Sequence, residues 1–284
     1  RSSVEVEESK HPLTFPGSAP VPTQPPRATR WGHFDKYWLL LAAALIVAVL
    51  LYVLSPERFR PIIEYVLGSF SEGDGVFMTL KLTVVSFVFI LIVGMIMGVF
   101  RVSSVGLLKG IASTYVEIVR GVPVLVWLMW IYFGVPAFLR EGLGLENVRF
   151  GGFSAAVVAF TFAYGAYMTE IFRAGIQSIA KGQMEASRSL GMNYMQAMRH
   201  IILPQALRVI LPPVSNEFVT LLKDSSLVSI LGLADLTRRG REFVGRTGQS
   251  FDTYLIVALL YLILTFFFTR VATALERRLT VEKR

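Results

Sequence analysis

Apolar runs long enough to cross a membrane alternate along the chain with short stretches that hold most of the charge. Residues 37–54 are continuously apolar, close to the roughly 20 residues that span a bilayer as a helix. A second run, about 76–100, carries Gly94 and Gly98 in a GxxxG spacing that permits close helix packing. The region 107–136 is interrupted by Glu117, Arg120, Gly121 and Pro123, which divides it into an amphipathic approach helix and a third span from about Val122. Glu117 and Arg120 lie three residues apart and can pair on one helix face. Further spans are predicted over about 153–176, 204–222 and 254–271, with Pro212 and Pro213 expected to kink the fifth. The pattern predicts an all-α integral membrane protein of about six transmembrane helices.

The composition agrees with lipid as solvent. The 284 residues are 54% hydrophobic and only 17% charged, where soluble domains carry about a quarter. An unpaired charge at mid-bilayer costs about 3 kcal/mol or more, so most charges mark the edges of spans. Residues 1–30 hold Pro16, Pro20, Pro22, Pro25 and Pro26 among small and charged residues and are too poor in apolar surface to offset chain ordering. They are read as a disordered cytoplasmic tail. A cleaved signal peptide fits less well, because the first apolar run begins only at Tyr37 and no A-x-A-like site follows it. The expected organisation is therefore a tail (1–30), a first span with an outer loop (31–75), a core (76–275) and a cytoplasmic C-terminal tail (276–284).

Charge distribution orients this arrangement. Arg27, Arg30 and Lys36 precede the first span, and Arg277, Arg278, Lys283 and Arg284 follow the last, which places both termini in the cytoplasm by the positive-inside rule. Arg101 and Lys109 then fall inside, 138–152 outside, and 173–200 inside with Arg173, Lys181, Arg188 and Arg199. One segment disagrees. Residues 223–246 should be outside yet hold Arg238, Arg239, Arg241 and Arg246, so either they meet something acidic or the last two spans are misplaced.

The net charge of +8 is explained by this topology, because the basic residues are not interleaved with stacking aromatics as on a nucleic-acid surface. With no cysteine and only His11, His33 and His200, disulfide, thiolate and metal chemistry are disfavoured.

Between the fourth and fifth spans, Glu185 to Pro204 reads as a short amphipathic helix, a glycine turn at Gly191, and a second helix leading to a proline. Leu190, Tyr194 and Met198 recur at helical spacing and provide an apolar face, while Arg188 and Arg199 can remain solvated. Amphipathicity alone fits an interfacial helix lying on the membrane. The exact pattern is more particular: Glu185-Ala186-Ser187, Gly191 three residues on, and after nine more residues Ile201-Ile202-Leu203-Pro204. It resembles the EAA coupling-loop signature of bacterial ABC importer permeases, with Ser187 in place of the second alanine.

The resemblance extends from about Thr79 to Leu275. It includes Tyr115-Val116-Glu117-Ile118-Val119-Arg120-Gly121-Val122-Pro123, Tyr167-Met168-Thr169-Glu170-Ile171-Phe172-Arg173-Ala174-Gly175-Ile176, and Asn216-Glu217-Phe218 with Leu221 to Leu227, and is strongest for the polar amino acid subfamily. It implies a five-helix permease core, to which this chain adds an N-terminal span, with a cytoplasmic coupling helix at about 183–199. Such a permease pairs with itself or a homologue in the bacterial inner membrane. Two ATPase subunits bind beneath, and an extracytoplasmic substrate-binding protein binds above. Glu185, Ala186, Ser187, Gly191, Ile201, Leu203 and Pro204 would form the ATPase-docking element. ATP and magnesium would belong to the partner, and no cofactor to this chain, which itself lacks a phosphate-binding loop: Gly245 to Ser250 has neither the lysine nor the spacing of G-x-x-x-x-G-K-[ST].

Ionisable residues within spans are candidates for a substrate pathway. Glu170 and Arg173 lie one turn apart and can equally neutralise one another. Asn216, Glu217, Lys223 and Asp224 bracket the fifth span and offer both signs of charge to a zwitterionic amino acid, or serve as caps and interhelical contacts. Tyr164, Tyr167 and Thr220 are neutral hydrogen-bonding candidates, although membrane tyrosines also anchor spans at interfaces. The alternative class is an ion-coupled secondary carrier or channel using Glu170 or Asp224, for which internal repeats are common and none is evident here. An intramembrane enzyme ranks lower, because no nucleophile and base pair is evident.

Overall fold

A computed structural model describes residues 32–145 and 150–281. The predicted N-terminal tail, the outer-loop residues 146–149 and the last three residues lie outside that range. The described residues are helical apart from short connections, in the order α1 (Gly32–Leu54), α2 (Pro56–Leu67), α3 (Gly75–Val102), α4 (Gly106–Arg120), α5 (Val124–Met129), α6 (Val135–Leu143), α7 (Gly152–Gln177), α8 (Lys181–Ser189), α9 (Tyr194–Ala197), α10 (Leu203–Asp224), α11 (Leu236–Thr247) and α12 (Ser250–Val281). By compactness the chain divides between Leu40 and Leu41. Of the first unit only the start of α1 is described; the second holds the helix bundle.

Helices occupy all six predicted spans, and four of the regions are long and apolar enough to cross a membrane: Gly75–Val102, Val124–Leu143, Gly152–Gln177 and Ser250–Glu276. The helix in the first predicted span has a shorter apolar stretch, Leu39–Leu50. That in the fifth, α10, carries Gln205, Arg208, Asn216, Glu217, Lys223 and Asp224 and is correspondingly more polar. Pro212 and Pro213 lie inside α10, which continues through both. α5 and α6 join through a π turn at Trp130–Gly134, so the helix reaches Leu143 and takes in Phe138, which the sequence pattern assigns to the outer loop.

α3 and α7 form the central pair. Leu82 and Ile90 of α3 and Phe160, Ala163 and Met168 of α7 are buried together with Leu128 and Leu221. The GxxxG spacing has a direct physical role at this crossing: a Cβ on Gly94 would sit 2.4 Å from Met168 Cγ, and one on Gly98 would sit 2.7 Å from Phe172 Cβ. Both distances are too short for real atoms, so α3 approaches α7 as closely as it does only because these positions lack side chains.

At the far end from α8, the expected outer loop after the first span is instead mostly a helix. Ser55 and Pro56 start α2, with Pro56 in the first turn where its missing N–H is not needed. Phe59, Ile62 and Val66 of α2 then bury against Leu236 and Phe243 of α11 and Ile256 and Val257 of α12. Asp235 caps α11, accepting from the backbone N–H of Thr237 at 3.1 Å and of Arg238 at 3.0 Å.

This packing resolves the conflict over the arginine-rich segment 223–246. Arg239 pairs with Asp74 at 3.2 Å and stacks over the Tyr65 ring at 4.0 Å, Arg238 pairs with Glu242 at 2.7 Å, and Arg241 donates to the Ser229 carbonyl at 2.8 Å. Arg246 also lies over Tyr65, at 5.1 Å. The basic residues are held by acidic, aromatic and carbonyl groups of this same chain.

Candidate functional site

The segment between α7 and α10 forms a helix–turn–helix whose parts are visible in its residues. Ala180 starts α8, and Ser187 packs inward, its hydroxyl donating to the Gln183 carbonyl at 2.6 Å. The helix ends at Leu190 and Gly191, where Gly191 adopts φ +85. This left-handed backbone is readily reached only without a Cβ. Asn193 and Gln196 then close a capping box, each side chain accepting from the other's backbone N–H at 2.9 Å, and α9 passes through a π turn at Met198–Ile202 into α10.

The turn changes the reading of the apolar face. Leu190, at the end of α8, and Tyr194 and Met198 beyond the turn belong to two helices, so their spacing does not describe one continuous stripe. Tyr194, Met198 and Ile202 instead face Met184 and the end of α7 across a cleft of about 580 Å³. Leu190, Tyr194 and Met195 are 82%, 55% and 69% exposed, a large apolar display beside the exposed Glu185 and Ala186. Of the other predicted docking residues, Ile201 is half-buried, and Leu203 and Pro204 are exposed at the start of α10.

The candidate pathway residues separate into two groups. In the first, the Tyr164 hydroxyl donates to Asp224 Oδ2 at 2.5 Å, joining α7 to the end of α10. Tyr167 lies next to Tyr164, with ring centroids 6.0 Å apart, and the half-buried Glu217 stands nearly two turns before Asp224 on α10. The Arg120 guanidinium lies 5.1 Å over the Tyr167 ring. The pairing of Arg120 with Glu117 expected from spacing is therefore replaced by a cation–π contact between helices.

In the second group, nearer α8, Glu170 accepts from Arg173 Nε at 3.0 Å and pairs with Arg101 Nη1 at 3.3 Å, while Arg173 also donates to Gln177. Glu170 thus ties α7 to the end of α3. Glu170 lies six residues from Tyr164, about 9 Å along the helix axis, so the structure does not gather the candidates into one pocket. Thr220 donates to the Asn216 carbonyl of its own helix at 3.0 Å, and Asn216 and Lys223 are exposed.

Sequence spacing misses Arg101 and Arg120 as members of these groups. Each reaches an acceptor or ring contributed by α7, tens of residues away in the chain, and only the crossing of helices reveals such a contact. The available signal is that both cations end helices facing the span that holds Glu170.

Residues 90–281 match the family described as "Binding-protein-dependent transport system inner membrane component". The chain belongs to that family. It is 40% identical over 208 residues to the L-cystine transport system permease protein TcyB of Bacillus subtilis (strain 168), covering 73% of this chain and 86% of the relative. It is 35% identical over 208 residues to the glutamine transport system permease protein GlnP of Escherichia coli (strain K12), covering 73% of this chain and 92% of that one. A solved structure described as an amino acid ABC transporter with histidines superposes with a TM-score of 0.68 at 38% identity, covering 79% of this chain and 97% of that one. As a member of this family the chain is a transport component of the inner membrane, and the EAA-type segment is consistent with its membership.

Proposed function

We propose that this chain is the permease subunit of an ATP-driven importer of polar amino acids, and that α8, the Gly191 turn and α9 are the cytoplasmic element on which a separate ATPase docks. The observation that carries the proposal is the helix–turn–helix between α7 and α10: it has the EAA-type residues in order and leaves Glu185, Ala186, Leu190 and Met195 exposed. An interfacial helix serving only as an anchor does not require Gly191 in a left-handed conformation or a cleft between its two arms. The relatives named for cystine and glutamine transport support the substrate class.

In this reading both termini are cytoplasmic, the α2 and α11 end faces the substrate-binding protein, and a second permease copy or homologue completes the pathway. ATP and magnesium bind the partner. Closure of the ATPase dimer moves α8 and α9, and the rigid α7 and α10 carry that movement to the two polar groups. Tyr164, Tyr167, Asp224 and Glu217 with Arg120 offer both carboxylates and a guanidinium to the ammonium and carboxylate of an amino acid. Arg101, Glu170 and Arg173 hold α3 to α7 at the inner end. Ion-coupled transport through Glu170 is less well supported, because its carboxylate is already shared by two arginines.

The test is purification of the transporter through a tag on this chain, followed by uptake of a panel of labelled amino acids in proteoliposomes. An ATPase is expected to co-purify and uptake to require its hydrolysis, and Glu185→Arg should release the ATPase and abolish uptake. Uptake that continues without ATP hydrolysis overturns the reading.

A further inference from the structure

Away from the two polar groups, an apolar slot of about 410 Å³ opens between α3, α4 and α7. Phe89, Val93 and Met97 form its α3 wall, Tyr115 its α4 wall, and Val158 and Phe162 part of its α7 wall. The Tyr115 hydroxyl, one of the few polar groups in the lining, donates to the Phe162 carbonyl at 2.7 Å. Water has little to bond to there, since a stable water needs two to four polar partners. Phe89 and Val158 are 49% and 52% exposed, so the slot opens sideways, at the depth of spans whose surrounding solvent is hydrocarbon.

The helices that line the slot also carry charge toward the end nearer α8. Arg101 follows Met97 by one turn on α3, and Arg101 and Arg173 share the single carboxylate of Glu170. On α4, Lys109 is exposed and lies six residues, about 9 Å along the helix axis, before the lining residue Tyr115, toward the end of α3 that holds Arg101. A hydrocarbon slot with an excess of cations at its rim is complementary to an anionic phospholipid. Basic groups beside transmembrane helices on the cytoplasmic side recognise such headgroups.

We infer that this slot holds an acyl chain of an anionic phospholipid, whose headgroup lies against Lys109 and the Arg101 end of α3. The leaflet is the cytoplasmic one, a clause that rests on the orientation proposed above; the slot and its preference for a lipid do not. A bound lipid would fill the space between the α3–α7 pair and the approach helix α4, and so brace the helix that ends at Arg120.

Trp127 provides the reporter, because its ring packs on Phe162 at 4.9 Å between centroids. The full chain with Trp31, Trp38 and Trp130 replaced by phenylalanine is placed in nanodiscs containing either acyl-brominated phosphatidylglycerol or acyl-brominated phosphatidylcholine. Bromine quenches tryptophan at short range, so phosphatidylglycerol should quench Trp127 more strongly at equal mole fraction. Val158→Phe, which narrows the mouth, should remove the difference. Lys109→Gln, at an exposed position that leaves packing intact, should lower the preference about fivefold, the effect of one basic group near an anionic surface.

Equal quenching by the two lipids overturns the inference. So does quenching unchanged by both Val158→Phe and Lys109→Gln. Efficient disulfide cross-linking of Val158→Cys between two copies also overturns it, because a second copy would then cover the slot. None of these readouts depends on uptake, so a failed importer reading and a failed lipid site are separable.

Discussion

The two ends of the helix bundle handle their surfaces in opposite ways. At the α2 and α11 end, charged side chains are consumed within the chain: Arg58 makes a two-pronged contact with Asp252 at 2.7 and 2.8 Å, Arg239 joins Asp74, and Tyr65 lies beneath two guanidinium groups. At the α8 and α9 end the short helices hold themselves by local caps, while Leu190, Tyr194 and Met195 remain open. An end that satisfies its own groups acts as a buttress; one that leaves apolar surface beside a glycine turn is available to a partner. Arginine richness therefore says little about function until the partners of each guanidinium are known.

The largest expected effect lies at the open end. Gly191→Val places a β-branched residue at φ +85, which costs about 1–2 kcal/mol of backbone strain and displaces the turn that joins α8 to α9. Uptake by the complete transporter should fall about five- to thirtyfold, since each 1.4 kcal/mol against the competent conformation is a factor of ten, while thermal unfolding of the purified chain shifts only modestly. Gly191→Asn, which tolerates the left-handed region better, should recover part of the activity. A large drop in unfolding temperature with Gly191→Val would mean that the turn is a structural element like those at the other end.

At the buttress the order should reverse, with stability lost before function. Asp74 is 7% exposed, accepts from the Ser69 backbone N–H at 2.6 Å and pairs with Arg239. Asp74→Ala leaves the guanidinium without its counter-charge and should destabilise the chain by about 3 kcal/mol, read as thermal unfolding in detergent. Combining it with Arg239→Met should recover part of the loss, because the orphaned charge is then gone.

How legible each end is in the sequence depends on the range of the contacts that build it. The docking segment is local: the glycine turn and the Asn193-x-x-Gln196 box act within a few residues, and the EAA-type spacing marks the element by type and offset. The helix α2 reads as a loop in the sequence because Phe59, Ile62 and Val66 are interrupted by Arg58, Arg60 and Glu64 and by Pro61, and its apolar face is recognisable only against α11 and α12. The arginine conflict in 223–246 is likewise insoluble from spacing, since Asp74 is 165 residues from Arg239. Along α3 and α7 the spans are plain from hydropathy. Which polar groups meet between helices is not, and spacing assigns Arg120 to its neighbour Glu117 when its ring partner, Tyr167, lies across the bundle.

A smaller effect at the buttress depends on pH. Burial pushes Asp235 up to about 6 against the capping hydrogen bonds that favour its charged form. A carboxyl whose folded value is raised holds its proton more tightly when folded. Its contribution to stability is therefore fully present below the ordinary value near 4 and is lost as pH rises through about 6. Asp235→Asn keeps a good cap for α11 and removes the titration, so the variant should gain on the parent between pH 4 and 7, by up to about 3 kcal/mol for a rise from near 4 to about 6. Parallel unfolding curves for parent and variant across that range would show that the cap, and not burial, governs Asp235.

The smallest effect separates burial from charge as the origin of the buttress. Arg60 and Glu64 pair at 2.8 Å, yet both side chains are 60% exposed. An exposed i,i+4 pair contributes about 0.5 kcal/mol or less, and less still with the cation on the N-terminal side. Glu64→Gln should therefore leave thermal unfolding nearly unchanged, and raising the salt should erase what difference remains. Asp74→Ala, with its pair largely shielded from water, should keep most of its effect at high salt. If Glu64→Gln matched Asp74→Ala, the end around α2 would be held by its overall charge pattern, and the contrast between a saturated end and an open one would have to be redrawn in terms of net charge.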